Sequence, residues 1–296
     1  MNRITPLISF LLILLPACIE VFETIELSKV EYGITATIST NDSTQRLTIT
    51  NGKQINSNDI VEIDSALLID YDGSVLRYEI PNEWEYQYRD YTIRVKLNHL
   101  PEAGQTYTIK VFLNGCCHEA TQTIPQPVTF SHITESLSAP TKDGDDEYVP
   151  TLYFTKENNC DTNYVMFSPY LSGNFLNATT TYFSDEDVTP GTYGITAFRS
   201  FSNEPLSSIG SNYGRGHRYY DKELHKYVYV DDCYVIEVAT MTKENYKFMK
   251  AVNKVYNSDG GMFLSLPANL PTNFSGPNVH GQFMALNIQT IIAKAQ

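Results

Sequence analysis

Between Val30 and Gln126 the sequence alternates apolar and polar residues in short runs, each closed within ten or so positions by turn residues. "YGITATIST" and "QRLTIT" carry the two-residue period of half-buried strands, and Asn51-Gly52 marks a turn after the second. "SALLIDYDGSVLRYEI" reads as a hairpin about Asp72-Gly73, while "YTIRVKL" and "TYTIKVFL" flank a loop containing Pro101 and Gly104. Several strands this closely spaced, over about 100 residues, predict an immunoglobulin-like β-sandwich. The 21 tyrosines in the chain fit that reading, because tyrosine suits a pleated, half-buried surface.

Past Gln126, "TIPQPVTF" reads as a connection, and "TLYFTKE", "NYVMFSPY" and "TYGITAFRSF" as further strands. "HRYYDKELHKYVYVDDCYVIEVATM" is expected to form one long hairpin turning at Asp221 to Glu223. "TKENYKFMKAVNKVYNS" changes period: Tyr246, Met249, Val252 and Val255 recur at helical spacing, with Thr242 as N-cap and Asn245 where a capping box would place Glu. "NVHGQFMALNIQTI" returns to strand. The predicted fold is mainly β: an immunoglobulin-like sandwich over 29–126, then a second antiparallel β-rich domain over 127–296 with one α-helix near 242–257.

"LISFLLILL", from Leu7 to Leu15, is too short to span a bilayer, which takes about 20 apolar residues. It fits the apolar centre of an export signal behind Arg3. The signal closes on Leu15-Pro16-Ala17-Cys18, which resembles a lipobox; the alternative is an ordinary signal with a chance cysteine. On the lipobox reading 1–17 is a lipoprotein signal peptide and 18–28 a tether. Cys18 then carries a thioether-linked diacylglyceryl group and, on its freed amine, a palmitate-type acyl chain. Two or more chains hold a protein stably at a membrane. No later stretch is apolar enough to span one.

The formal charge is −13, and loss of Arg3 with the signal takes the mature chain to about −14. That excludes an extended nucleic-acid interface, which needs a basic face. With Cys18 in the anchor, Cys116, Cys117, Cys160 and Cys233 remain, and an exported chain permits disulfides. The expected bridge is Cys160 with Cys233, leaving the adjacent Cys116 and Cys117 as buried thiols or a vicinal pair. The chain has no CxxC spacing for zinc. Asp143, Asp145 and Glu147 alternate in an acidic loop, but Tyr148 and Phe154 stand where a calcium loop needs Gly and Glu. No metal or cofactor is expected.

Taken together, the lipobox, "SALLIDYDGSVLRYEI", "LPEAGQTYTIKVFLNGCCHEATQTIPQPVTFSHI", "NYVMF", "YFSDEDVTPGTYGI" and "SLPANLPTNFSGPNVHGQFMAL" resemble one family. It is the Bacteroidetes outer-membrane lipoproteins grouped as domain-of-unknown-function family 4249. The strand start and exit of that family fall here on Pro101, Gly104, Tyr107, Thr123 and Pro125. Its tail falls on Asn273-Phe274-Ser275-Gly276 and Gly281-Gln282-Phe283. The resemblance implies a setting similar to that of accessory lipoproteins of TonB-dependent outer-membrane transporters. It implies no enzymatic activity, and it carries over no binding residue.

No Gly-x-Ser-x-Gly occurs, and the histidines at 99, 118, 132, 217, 225 and 280 lack close metal-ligand spacing. The strongest candidate surface is "GRGHRYYDKELHKYVYV", where Arg215, His217, Arg218, Lys222, His225 and Lys226 interleave with Tyr219, Tyr220, Tyr227 and Tyr229. Arg215, Arg218 and Tyr220 are its expected contact residues; the competing reading is an edge hairpin protected by charge. "DST" and "DSA" mark Ser43 and Ser65 as candidate O-glycan acceptors. The expected function is that of a non-catalytic binding or accessory subunit beside such a transporter. It would be anchored in the outer membrane and either periplasmic or surface-exposed. A structural or adhesive surface protein is the alternative, and a glycan-active enzyme the third.

Overall fold

The computed structural model describes residues 32–51, 63–80, 90–137, 148–158, 161–168, 181–196, 218–221, 226–229, 234–256 and 271–293. The expected strands form in the first part of the chain: β1 (Tyr32–Ser39), β2 (Thr44–Asn51), β3 (Ile63–Ile69), β4 (Val75–Arg77), β5 (Asp90–Lys96), β6 (Thr106–Leu113) and β7 (Cys116–Thr123). Alternation decides their orientation. Ile34, Ala36 and Ile38 of β1, Leu47 and Ile49 of β2, and Ile93 and Val95 of β5 are buried, while the residues between them face outward. They meet Ala66, Leu68, Tyr107, Ile109, Val111 and Leu113 of an antiparallel sheet ordered β4-β3-β6-β7. Tyr78 lies in the same core, and burial raises its hydroxyl pKa. Two sheets with one apolar face each make a sandwich. At the β3–β4 turn Gly73 takes φ of 84°, and its N–H donates to the Asp70 carbonyl at 2.9 Å.

The second part of the chain supplies β8 (Thr129–Leu137), β9 (Tyr148–Lys156), β10 (Tyr164–Ser168), β11 (Thr181–Ser184), β12 (Gly191–Thr196), β13 (Arg218–Asp221), β14 (Lys226–Tyr229), β15 (Tyr234–Met241), α1 (Lys243–Tyr256) and β16 (Val279–Ala293). Strand β8 begins inside the segment expected to be only a connection. The expected long hairpin is divided: among the described residues β13 and β14 pair only with each other, while β15 joins a seven-stranded sheet ordered β11-β10-β15-β16-β1-β2-β5. Sheet β12-β9-β8 packs Ile133, Leu152, Phe154 and Ile195 on one face of that sheet, against Val165, Phe167, Ile236, Val238 and Ile291. Helix α1 covers the opposite face with Phe248 and Met249, over Tyr164, Met166, Ala239, Met241, Met284 and Leu286. Burial there pushes the half-buried Tyr182 up to about 12.

Strand β16 runs through both cores, so the hydrogen bonding crosses the 126/127 line. Its first half pairs in parallel with β1, from Tyr32↔Val279 to Ser39↔Leu286, and its second half pairs antiparallel with β15. Val279, Phe283 and Ala285 therefore belong to the first core and Ile291 to the second. Where β15 has not yet begun, side chains take the place of a strand. Asn273 accepts from the Phe283 N–H at 2.8 Å and donates to its carbonyl at 2.9 Å, while Asn245 accepts from the Ala285 N–H at 3.0 Å. Gly281 lies so close to Ile34 that a Cβ would sit 1.7 Å from that residue's carbonyl oxygen. Just upstream, the Ser275 N–H donates to the Glu119 carbonyl at 2.8 Å, so the 271–276 segment lines the β7 edge of one sheet before crossing into the other.

Thr242 caps α1 as expected, accepting from the Asn245 N–H at 3.3 Å. Asn245 does not close a capping box. It is fully buried, and its amide is committed to β16.

Candidate functional site

The basic, tyrosine-rich ribbon forms as a separate two-stranded sheet with register Arg218↔Tyr229, Tyr219↔Val228, Tyr220↔Tyr227 and Asp221↔Lys226. Its connection is therefore the four residues 222–225. By register, positions 218 and 220 fall on one face with 227 and 229. Arg215 lies outside the described residues, as do Cys18, Cys160, Cys233 and the acidic loop.

Ser43 and Ser65 are both half-buried. The aspartate of each triplet is engaged: Asp42 accepts from the Thr44 N–H at 2.9 Å, and Asp64 from the N–H of the distant Gly115 at 2.7 Å. Cys116 and Cys117 depart from both expectations, being exposed free thiols. They directly follow the Asn114-Gly115 turn; Leu113, opposite Cys116, is buried in the core, while the first buried β7 side chain is His118. Among the described residues no group of three or more His, Cys, Asp or Glu side chains could hold a metal ion.

Two constellations were not readable from sequence. At one end of the first sandwich, His99 sits between two acceptors. Its Nε2 is 2.9 Å from Asp70 Oδ2, and its Nδ1 is 3.1 Å from the Leu100 carbonyl. A neutral imidazole donates through one nitrogen only, so this pairing favours the doubly protonated ring. The Asp70 bond first, and the Leu100 carbonyl second, hold its pKa above the ordinary histidine value. Tyr71 meets the imidazole edge-on with centroids 5.2 Å apart, and both Tyr71 and the neighbouring Leu100 are exposed.

In the second unit Asp185 is wholly buried. Its carboxylate accepts from the Asn163 N–H at 2.7 Å, the Asn163 side chain at 2.7 Å and the Tyr193 hydroxyl at 3.4 Å, with Lys156 Nζ at 3.6 Å. Lys156 also donates to the Asp185 carbonyl at 2.5 Å. Burial, then the Asp185 charge, pushes the Tyr193 hydroxyl pKa upward. This knot ties β9, β12 and the β10 and β11 ends together. Among its members only the exposed turn "DEDVTPG" leaves a trace in sequence, and that trace says turn rather than buried charge.

The residues of the tail motif have structural work: Asn273 holds β16, Gly276 lies over the buried His118, and Gly281 lets β16 approach β1. No helix among the described residues is long and apolar enough to cross a membrane. No curated protein matches this chain. The family model described as Domain of unknown function (DUF4249) matches residues 22–292, and the chain belongs to that family.

Proposed function

We propose that the mature chain is an outer-membrane lipoprotein, anchored through Cys18, that serves as a non-catalytic binding or accessory subunit beside a TonB-dependent transporter. The anchor part of this reading rests on the short apolar run ending at Leu15-Pro16-Ala17-Cys18. The binding part is carried by the register of β13 and β14, which puts positions 218 and 220 on one face with 227 and 229, in a ribbon that pairs with no other strand among the described residues. Complementary charge steers encounter, and tyrosine supplies contact area at low entropic cost.

The test is fractionation combined with co-purification. Cys18→Ala should lose lipid label and leave the membrane fraction; retention of both overturns the anchor. Arg215→Ala, Arg218→Ala and Tyr220→Ala together should weaken association with a co-purifying transporter while thermal melting stays unchanged. Undiminished association of that normally melting variant overturns the ribbon as the binding surface.

A further inference from the structure

A second surface departs from the general acidity, and it lies on the first sandwich. Ile93 and Val95 face the core, so Arg94 and Lys96 of β5 face outward. Arg46 of β2 does the same and is directly opposite Arg94 in the register, with Lys96 opposite Thr44. All three cations are exposed. Like charges directly opposite on neighbouring strands oppose folding. Three lysines elsewhere do meet carboxylates: Lys110 meets Glu119 at 2.9 Å, Lys243 meets Glu186 at 2.8 Å, and Lys156 lies 3.6 Å from Asp185. Arg46, Arg94 and Lys96 have no carboxylate partner among the described residues. Strands β1, β2 and β5 together contribute one acid, Asp90, which is two rows away opposite Thr50. In a chain of net charge −13 this is a locally costly cluster.

Its position says what kind of group fits. Strand β5 ends the seven-stranded sheet, and among the described residues no strand pairs with its outer edge. Arg94 and Lys96 are two residues apart along that edge, about 7 Å, and Arg46 backs the first of them. The face alongside is lined by hydroxyls, with Thr48 Oγ1 and Thr92 Oγ1 3.0 Å apart. An extended peptide with carboxylates at every second residue matches both elements at once. Its backbone pairs with the β5 edge, and its acids fall opposite Arg94 and Lys96. A lipid surface or an anionic glycan meets the charges but has no use for the edge.

We infer that the outer edge of β5, with Arg46, Arg94 and Lys96, is a docking site for an extended acidic segment of a partner protein. The inference depends on neither the anchor nor the β13–β14 ribbon. The probe is a labelled peptide of alternating Glu and Thr, titrated by fluorescence anisotropy against the full-length mature protein at low salt. The peptide should bind, weaken as salt rises, and lose at least about tenfold in affinity to the Arg46→Gln, Arg94→Gln, Lys96→Gln variant. A peptide N-methylated at alternate amides, with the same charges, should also bind weakly, since it cannot add to the edge. The variant should melt no lower than the parent, because like-charge repulsion is relieved. Absence of binding overturns the inference, as does equal binding by the variant or by the N-methylated peptide. So does preferential capture of phosphatidylglycerol vesicles or an oligogalacturonate over the Glu-Thr peptide.

Discussion

The two halves of the molecule each bury an aspartate and pair it with a cation, and they do so differently. Asp185 is sealed: its carboxylate has three hydrogen-bond donors and a lysine whose side chain is 11% exposed. Asp70 is at a rim: it is 6% exposed, but its partner His99 is 32% exposed and titratable. A sealed carboxylate cannot fall back on water when its partners change, so every donor around it is committed. A rim pair has water beside it and a partner whose charge depends on pH. The first arrangement fixes chain segments to one another. The second ties two surface loops with a bond whose strength depends on pH.

Breaking the sealed pair should have the largest effect. Asp185→Ala leaves Lys156 nearly buried without a counter-charge and strips acceptors from Asn163 and Tyr193. It is expected to cost about 3–5 kcal/mol, as removal of one partner from a buried ion pair does. Denaturant unfolding of purified protein measures this, and a loss under about 1 kcal/mol would mean that the carboxylate is better solvated than its burial implies. Asp70→Ala should cost less, about 1–2 kcal/mol, because the released His99 can hydrate while the Tyr71 N–H loses the carboxylate oxygen it meets at 2.7 Å. Equal losses in the two variants would erase the distinction between the halves.

The same contrast explains what the sequence reveals. β1, β2 and β5 are legible because each has one wet face, and strict alternation follows from that: Ile34, Ala36 and Ile38 inward, Thr35 and Thr37 outward. The Thr242 cap is legible because its partner is three residues away. β16 is visible as a strand, but its register is not. It is buried on both faces from Gly281 to Asn287, so its pattern is nearly continuous, and its parallel partner β1 lies at the other end of the chain. Asn245 reads as a defective capping box because its true partners, Phe283 and Ala285, are distant in sequence. The Asp70–His99 pair and the Arg46–Arg94 row depend in the same way on which strands become neighbours, and alternation alone does not choose neighbours. The vicinal cysteines mislead for a different reason: alternation places adjacent strand residues on opposite faces, yet directly after the turn both thiols are exposed, although Leu113 opposite Cys116 is buried.

The smallest expected effect is the most specific test of the rim pair. His99 has a folded-state pKa raised above its ordinary value of 6.5, by the Asp70 bond first and the Leu100 carbonyl second. A raised histidine pKa means that the folded state binds the proton more tightly than the unfolded one. The stabilisation is therefore complete below about 6.5 and is lost as pH rises through the folded value. Because His99 is partly exposed and screened, the whole contribution should be under about 1 kcal/mol. His99→Gln should accordingly lower the melting temperature slightly at about pH 5.5 and converge with the parent by about pH 9. Asp70→Asn in the parent should move the His99 imidazole titration, followed by NMR, back toward the ordinary value. A parent-minus-variant difference that grows with rising pH would mean that the neutral ring is the one the loops hold. An Asp70→Asn variant with an unmoved titration would mean that Asp70 is a bystander to a bond made by the Leu100 carbonyl alone.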